Sequence, residues 1–491
     1  MNHPLTLKIK SQQSFFVLLL LITLLTSFCK KKEEVQPQLN VSLSELAFQP
    51  EGGISSIIVT SNSKWSVNNP GATWLQLDQT TGNGGSTTLK LTAVPNGTGV
   101  SRSATLIVTS GGQARRVKLS QVSDLYPSYN TSPKTPDATG MGSNAVQLAA
   151  KMHLGWNIGN TMESPGGETG WGNPQITESY VRFLKQTGFN AVRLPCAWDW
   201  HHLSDRSKAK IDPAWLSRVK EVVQYCVNND MYVLLNIHWD NGWLDANINN
   251  LKKDSVNAKQ KALWEQIATT MRDFDEHLMF ASANEPPAEN AEQMEILNSY
   301  HQTFINAVRS TGGRNSYRVL VVQGPGTDFD KTDRLMNTLP TDQISNRMMV
   351  EVHNYTPAQF TILDQDASWG KMFYYWGASH HSTIQPDRNP TWGGESEHIR
   401  VFGLMKAKFI DKGIPVLMGE YGAYRRGNSQ NVPLDLNTHN DAVDYWNRYV
   451  TKQAIQHGLK PFFWDTGAAL DRRNNRVLDQ RTIDAILAGS R

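Results

Sequence analysis

The sequence predicts an α/β fold, a TIM (β/α)8 barrel with a small N-terminal all-β sandwich domain, on three observations. Between residues 141 and 491, short apolar and β-branched runs alternate with amphipathic helical stretches, as parallel strands alternate with their covering helices. Two of those runs close on a glutamate: Glu285 in His277-Leu-Met-Phe-Ala-Ser-Ala-Asn-Glu-Pro286 and Glu420 in Ile414-Pro-Val-Leu-Met-Gly-Glu-Tyr-Gly422. A buried parallel strand that ends in polar residues has that end at the mouth of a barrel. Residues 39–122 instead hold short alternating runs separated by glycine turns, the pattern of a small sandwich.

A chain of 491 residues is long enough for two domains, one of them large. Its 48 basic and 45 acidic residues leave a formal charge of +3 without a basic stripe, so neither nucleic acid nor a charged polymer is expected as a partner. The compositional anomaly is fifteen Trp, whose faces stack on the C–H faces of sugars or fill cores.

At the N-terminus, Lys8 and Lys10 precede the apolar run Phe15 to Phe28. That run is shorter than the roughly 20 residues of a membrane span and carries the charged flank of a secretory signal, so residues 1–29 are expected to be an export signal. Cys29, followed by Lys30-Lys-Lys-Glu-Glu34, resembles a bacterial lipoprotein processing site. The resemblance implies a lipid anchor at Cys29, residues 30–38 as a charged tether, and a place at the surface of a Gram-negative cell, on its outer membrane. A secreted chain cut nearby is the alternative.

Over residues 39–122 the candidate strands are Ser56-Ile-Ile-Val-Thr60, Thr88-Leu-Lys-Leu-Thr92, Ala104-Thr-Leu-Ile-Val-Thr109 and Arg116-Val-Lys-Leu-Ser120, with turns at Gly52-Gly53, Asn69-Pro-Gly71, Gly82-Asn-Gly-Gly85 and Gly111-Gly112. With Trp65, Trp74-Leu75, Asn96, Arg102 and Gln121, this segment resembles the BACON modules found in front of Bacteroidetes carbohydrate enzymes. Trp65 and Trp74 lie on alternating runs and are expected in the sandwich core, which makes the module a spacer; sugar binding through them is the other role.

Residues 123–140 hold Pro127, Pro133 and Pro136 and are expected to form a stiff, short linker. The eight candidate strands that follow cover residues 153–159, 191–195, 232–238, 278–284, 318–323, 348–353, 415–419 and 461–465, and helical text covers 176–187, 213–229, 255–274, 292–311, 397–412 and 438–457. The longest insertion follows the sixth strand and carries Trp369, Trp376 and Trp392; it is expected to cross the barrel mouth with at least one indole against substrate. Cys196 follows a strand at the top and Cys226 sits late in a helix running down, a separation beyond the reach of a disulfide, so two free, buried thiols are expected.

Polar and aromatic residues gather at the C-terminal strand ends: Arg193 on the second, His238 on the third, Asn284 and Glu285 on the fourth, His353 and Tyr355 on the sixth, Glu420 on the seventh and Trp464 on the eighth. Cleaving a glycosidic bond needs an acid for the leaving oxygen and a carboxylate for the oxocarbenium-like carbon. The environment must split their pKa values. Arg193 and Tyr355 are expected to keep Glu420 anionic as nucleophile, and that anion to push Glu285 upward as acid/base.

Asn284-Glu285-Pro286, Arg193 in Val-Arg-Leu-Pro, His353-Asn-Tyr355 and Glu420 in Gly-Glu-Tyr-Gly resemble glycoside hydrolase family 5, and Gly155-Trp-Asn-Ile-Gly-Asn160 resembles its cellulase-like branches. The resemblance implies retention, with Asn284 on the 2-hydroxyl, His353 supporting the acid/base, and Arg193, His238 and Tyr355 ordering the nucleophile and the sugar. Trp464 lies beneath that sugar, and Asn157, Trp239 and Trp243 line the glycone side. It implies no cofactor, no metal, a monomer, and a β-1,4-glucan substrate of the cellulose, mixed-linkage or glucomannan type, with xyloglucan or mannan as alternatives. Two rivals stand beside it. Metal hydrolysis would use His201-His202, His380-His381 or Glu351-Val-His353, and a non-catalytic sugar-binding protein would have lost one of the glutamates.

Overall fold

A computed structural model describes residues 36–50, 52–68, 72–96, 101–427 and 431–491. The export signal, Cys29 and the first residues of the tether lie outside the described residues. The chain divides into two compact units, one reaching Val122 and the other formed by Ser123–Arg491.

The first unit is a two-sheet sandwich. Leu39–Val41, Gly53–Ser61, Gly85–Ala93 and Leu75–Leu77 form one sheet; Glu45–Phe48, Gln113–Gln121, Arg102–Ser110, Trp65–Asn68 and Thr81–Gly82 form the other. Alternate residues, among them Ile57, Val59, Val67, Leu89, Leu91, Val108 and Leu119, meet in one core. Trp65 and Trp74 are in that core, as the alternation predicts, and Arg102 lies 4.9 Å over the Trp74 ring.

In the second unit eight parallel strands close into a barrel: β1 Gly155–Ile158, β2 Ala191–Leu194, β3 Tyr232–Asn236, β4 Leu278–Ala281, β5 Leu320–Gln323, β6 Met348–Asn354, β7 Val416–Tyr421 and β8 Lys460–Asp465. Each is followed by a helix: α1 Glu178–Thr187, α2 Pro213–Asn228, α3 Lys253–Met271, α4 Ala291–Ser310, α5 Phe329–Leu335, α6 Glu395–Lys408, α7 Leu436–Gln456 and α8 Gln480–Gly489. Capping sets the starts, since Thr177, Asp212, Asn290, Asp435 and Asp479 each accept a first-turn N–H.

The period of two sorts the strand residues. Leu234, Met279, Val321, Met349, Leu417 and Phe462 point inward and pack on Ala145–Lys151, a helix that closes the base of the barrel. Val233, Leu235, Phe280, Val322, Val350 and Met418 face outward into the helix layer. One layer above the apolar base the inward positions become polar: Asn157, Arg193, Asn236, Gln323 and Glu351 are all fully buried.

The register breaks once where it matters for the site. Val352 is opposite Met418, but His353 is opposite Glu420, so Gly419 is an extra residue on β7. Such a bulge re-aims the side chains beyond it. Here it turns Glu420 inward, where strict alternation from Leu417 would have sent it out.

Residues 123–140 are not a free linker. Ser128 and the backbone N–H groups of Tyr129 and Asn130 donate to Glu265 on α3 at 3.0, 2.6 and 3.1 Å, and Lys134–Pro136 pairs in parallel with Gly312–Gly313. Polar side chains and a short strand fasten this segment to the barrel, whereas its prolines alone suggest a spacer. Cys196 and Cys226 are buried and unpaired, as expected.

Candidate active site

Glu285 follows β4 and Glu420 stands near the end of β7, and one carboxylate oxygen of each, with a ring nitrogen of His353, lie within 4.8 Å of one another. The environments differ. The Glu285 side chain is 45% exposed, that of Glu420 only 7%. Glu420 accepts from Arg193 Nη1 at 2.8 Å and from the Tyr355 hydroxyl at 3.0 Å, whereas Glu285 meets His353 Nδ1 at 2.7 Å.

Arg193 carries the arrangement. It is fully buried and donates from Nε to Glu351 at 2.8 Å, from Nη1 to Glu420 and to Asn157 Oδ1 at 3.1 Å, and from Nη2 to Asn284 Oδ1 at 2.9 Å. A planar guanidinium with donors in fixed directions fixes four partners at once. With its oxygen so used, Asn284 has its amide N–H groups left to offer. His238 stacks on Trp464 at 5.7 Å and 13°; burial, then the charges of Arg193 and His353, hold its pKa well below the usual imidazole value, so the ring is neutral.

The expected ordering of the two carboxyls is corrected here. Burial alone would raise Glu285, but the His353 hydrogen bond and charge outweigh it and hold the carboxyl below its ordinary value. Burial and the facing Glu285 anion push Glu420 up, against His353, Arg193 and Tyr355. His353 explains the reversal: burial disfavours its charge, yet Glu420, Glu285 and Glu351 surround it and raise it to about 9. The proton therefore rests on the His353 side of the His353–Glu285 hydrogen bond, one short transfer from Glu285.

One other expectation changes, and a second is narrowed. Asn157 does not line the cleft: it has no exposed surface, and its amide donates to the carbonyls of Gly419, Phe462 and Phe463 while its oxygen takes Arg193. It braces the floor from below. Of the loop tryptophans, Trp376 is fully buried, bonded to the Gly393 carbonyl and packed on Tyr445 and Tyr449, whereas Trp369 and Trp392 are exposed at 61% and 48%.

Trp239 is 49% exposed and meets Trp200 edge to face at 5.7 Å. Asp240 holds this pair in place, accepting the N–H groups of Asp199 and Trp200 at 2.8 Å and the Trp243 indole at 2.9 Å. The half-buried Trp243 is thus tied inward, with Lys259 5.3 Å above its ring.

Trp200 and Asp240 are not among the site residues that the sequence points to, and Glu351 enters there only as part of a metal-like pair with His353. Glu351 was readable, because it shares the inward face of β6 with His353, two residues on. The histidine pairs do not assemble: His202 stacks on Trp215 at 3.7 Å and His380 on Tyr445 at 4.7 Å. The best cradle for a cation among the described residues is Glu285, His353 and Glu420, but Arg193 already neutralises Glu420 and His353 already serves Glu285. This charge-paired set has the donors for acid–base and nucleophilic chemistry at one carbon.

Comparison with known proteins agrees with this geometry. The cellulase (glycosyl hydrolase family 5) family model matches residues 157–470, and the BACON model matches residues 63–122. The chain is 32% identical over 501 residues to the xyloglucan-specific endo-beta-1,4-glucanase of Bacteroides ovatus, covering 96% of each protein. The solved Bacteroides ovatus GH5 xyloglucanase in complex with a XXXG heptasaccharide superposes with a TM-score of 0.69 at 30% identity, over 92% of this chain and 99% of that one. XEG5B, a GH5 xyloglucan-specific beta-1,4-glucanase from a ruminal metagenomic library, superposes with a TM-score of 0.65 at 38% identity, over 71% of this chain and 96% of that one.

Proposed function

The chain belongs to glycosyl hydrolase family 5, and from that premise we propose that it is an endo-acting, retaining β-1,4-glucanase whose preferred substrate is xyloglucan. The facing pair Glu285 and Glu420 carries this proposal. One oxygen of each carboxylate within 4.8 Å of the other fits the ~5–5.5 Å carboxyl spacing of retaining enzymes better than the ~6.5–9.5 Å at which an inverting pair holds its water.

In the first step Glu420 attacks the anomeric carbon as the bond to the leaving oxygen breaks, and Glu285 passes to that oxygen a proton drawn from His353, which leaves Glu285 anionic and His353 neutral. The Glu420 charge disappears into the ester while the Glu285–His353 pair becomes negative by one, so the net charge of the site is unchanged. In the second step Glu285 takes a proton from water, the oxygen attacks the same carbon, and Glu420 leaves as the anion. Asn284 is placed to hold the 2-hydroxyl, with Trp464 beneath the ring and Arg193, His238 and Tyr355 ordering its surroundings.

The substrate order changes from an unbranched β-1,4-glucan first to xyloglucan first. The support is the likeness to a xyloglucan-specific enzyme across both units, together with exposed indoles at Trp239, Trp369 and Trp392. A branched chain offers sugar faces at its sides, and exposed indoles stack on such faces. The apolar run before Cys29 supports export and a lipid anchor at the cell surface.

A panel of xyloglucan, carboxymethyl-cellulose, mixed-linkage glucan, glucomannan and mannan tests the substrate. Xyloglucan is expected to lead in kcat/KM by at least about tenfold, or ~1.4 kcal/mol of transition-state binding, with oligosaccharide rather than monosaccharide products. A higher kcat/KM on unbranched glucan would return a plain β-1,4-glucan to first place.

A further inference from the structure

Glu351 is a third carboxylate in this site, and the two-carboxylate reaction does not call for it. It has no exposed surface. One oxygen, Oε1, accepts from Arg193 Nε at 2.8 Å and from His353 Nε2 at 3.1 Å, and Oε2 accepts from Gln323 Nε2 at 2.6 Å. These contacts complete an unbroken chain from acid/base to nucleophile: Glu285, His353, Glu351, Arg193, Glu420.

We propose that Glu351 is a positioning residue for both catalytic carboxylates, holding Arg193 against Glu420 and turning His353 so that Nδ1 faces Glu285. The proposal rests on the retaining reading of the site given above. A buried carboxylate is costly to desolvate and is a weak source of stability in itself. A neutral amide would satisfy Arg193 more cheaply, but it would not anchor a protonated imidazole.

A second observation comes from β7. A side chain at Gly419 would put its Cβ 2.0 Å from Glu351 Oε1, and no left-handed φ requires glycine there. The bulged residue immediately before the nucleophile thus lacks a side chain where the Glu351 carboxylate lies. The same bulge turns Glu420 toward Arg193, so one backbone feature serves both groups.

Groups facing His353 from the surrounding elements are Glu285 after β4, Glu351 on its own strand, Glu420 on β7 and His238 after β3, with Arg193 on β2 and the Tyr355 hydroxyl bonded to Glu351 and Glu420 behind them. Burial works against a charged Glu351, yet Arg193 and His353 hold its carboxyl below the ordinary range. Glu351 is thus held as the anion, and its removal would make His353 a stronger acid.

Glu351→Gln in the full chain tests this, with kcat and KM measured separately on the polysaccharide that the wild type cleaves fastest. The expected result is a kcat lower by roughly 10–100-fold, the scale of a small misplacement at a reacting centre, with KM within about threefold. The alkaline limb of the kcat/KM profile should move to lower pH as His353 loses its neighbouring anion. A kcat within twofold of wild type with a superimposable pH profile overturns the proposal, as does a fall in Tm alone. Should Glu351→Gln fail to fold, Gln323→Leu, which frees Oε2 and keeps the charge, is expected to lower kcat several-fold with KM unchanged, and an unchanged kcat overturns the proposal. The anomeric configuration of the wild-type product, followed alongside, decides the retaining reading, and only the variant-to-wild-type ratio decides Glu351.

Discussion

Glu285→Gln and Glu420→Gln each lower kcat on a natural polysaccharide by at least ~10²-fold, because proton transfer by a placed side chain alone is worth ~10²–10⁴-fold. Neither change alters side-chain volume, so both proteins are expected to fold. An aryl glycoside with a leaving group that needs no proton separates them. The Glu285 variant forms its glycosyl-enzyme on that substrate and is rescued in the second step by azide, which needs no general base. The Glu420 variant has no nucleophile and gains nothing. Equal behaviour of the two variants on the activated substrate would remove the division of roles, which rests on which carboxylate meets His353 and which meets Arg193.

Arg193→Met is expected to be both inactive and strongly destabilised. Its guanidinium is the cation between Glu351 and Glu420, at 2.8 Å from each, and its loss leaves two buried carboxylates to share His353, which Glu285 also uses. Breaking a buried pair in this way costs ~3–5 kcal/mol, or roughly 6–20 °C in Tm at the ~2–4 °C per kcal/mol of a large domain. Adding Glu351→Gln should recover part of that loss, because it removes one of the stranded charges. A Tm within about 2 °C of wild type for Arg193→Met would mean that water or protonation replaces the guanidinium freely, and the view of Arg193 as the hub would fail. Glu420→Gln is expected to leave Tm unchanged or higher, since burial and the Glu285 anion already disfavour its charge in the fold. The nucleophile is kept at the expense of stability.

The barrel was legible because strands buried on both faces are continuous apolar runs, and each of the eight expected runs became a barrel strand. Their C-terminal limits were less so. The third run was expected to reach His238 and the fourth Asn284, but pairing stops at Asn236 and Ala281. The polar residues stand just beyond the ladder, where hydrogen bonding between strands ends. Helix α5, at seven residues, is too short for its periodicity to show.

Within the site, residue types and strand-end positions identified Glu285, Glu420, Arg193, His353, Tyr355 and Trp464, which converge as their positions imply. Depth was not legible. Asn157 sits at a strand end like the others, yet its register opposite Arg193 and Trp464 places it under the floor. The bulge at Gly419 leaves no mark in the sequence, though it aims the nucleophile. The order of the two carboxyl pKa values is not legible in the sequence, because it depends on three carboxylates meeting at one imidazole, and Glu351 shows there only as part of a metal-like pair. The role of residues 123–140 turned on Glu265, more than a hundred residues away.

The most direct test of the central claim is the configuration of the new reducing end, followed by proton NMR from the first minutes of hydrolysis of a defined oligosaccharide of the preferred polymer. Two displacements at one carbon, by Glu420 and then by water, predict that the β-anomer appears first and the α-anomer only as mutarotation proceeds. Initial release of the α-anomer would show a single displacement by water, and would contradict Glu420 as the nucleophile.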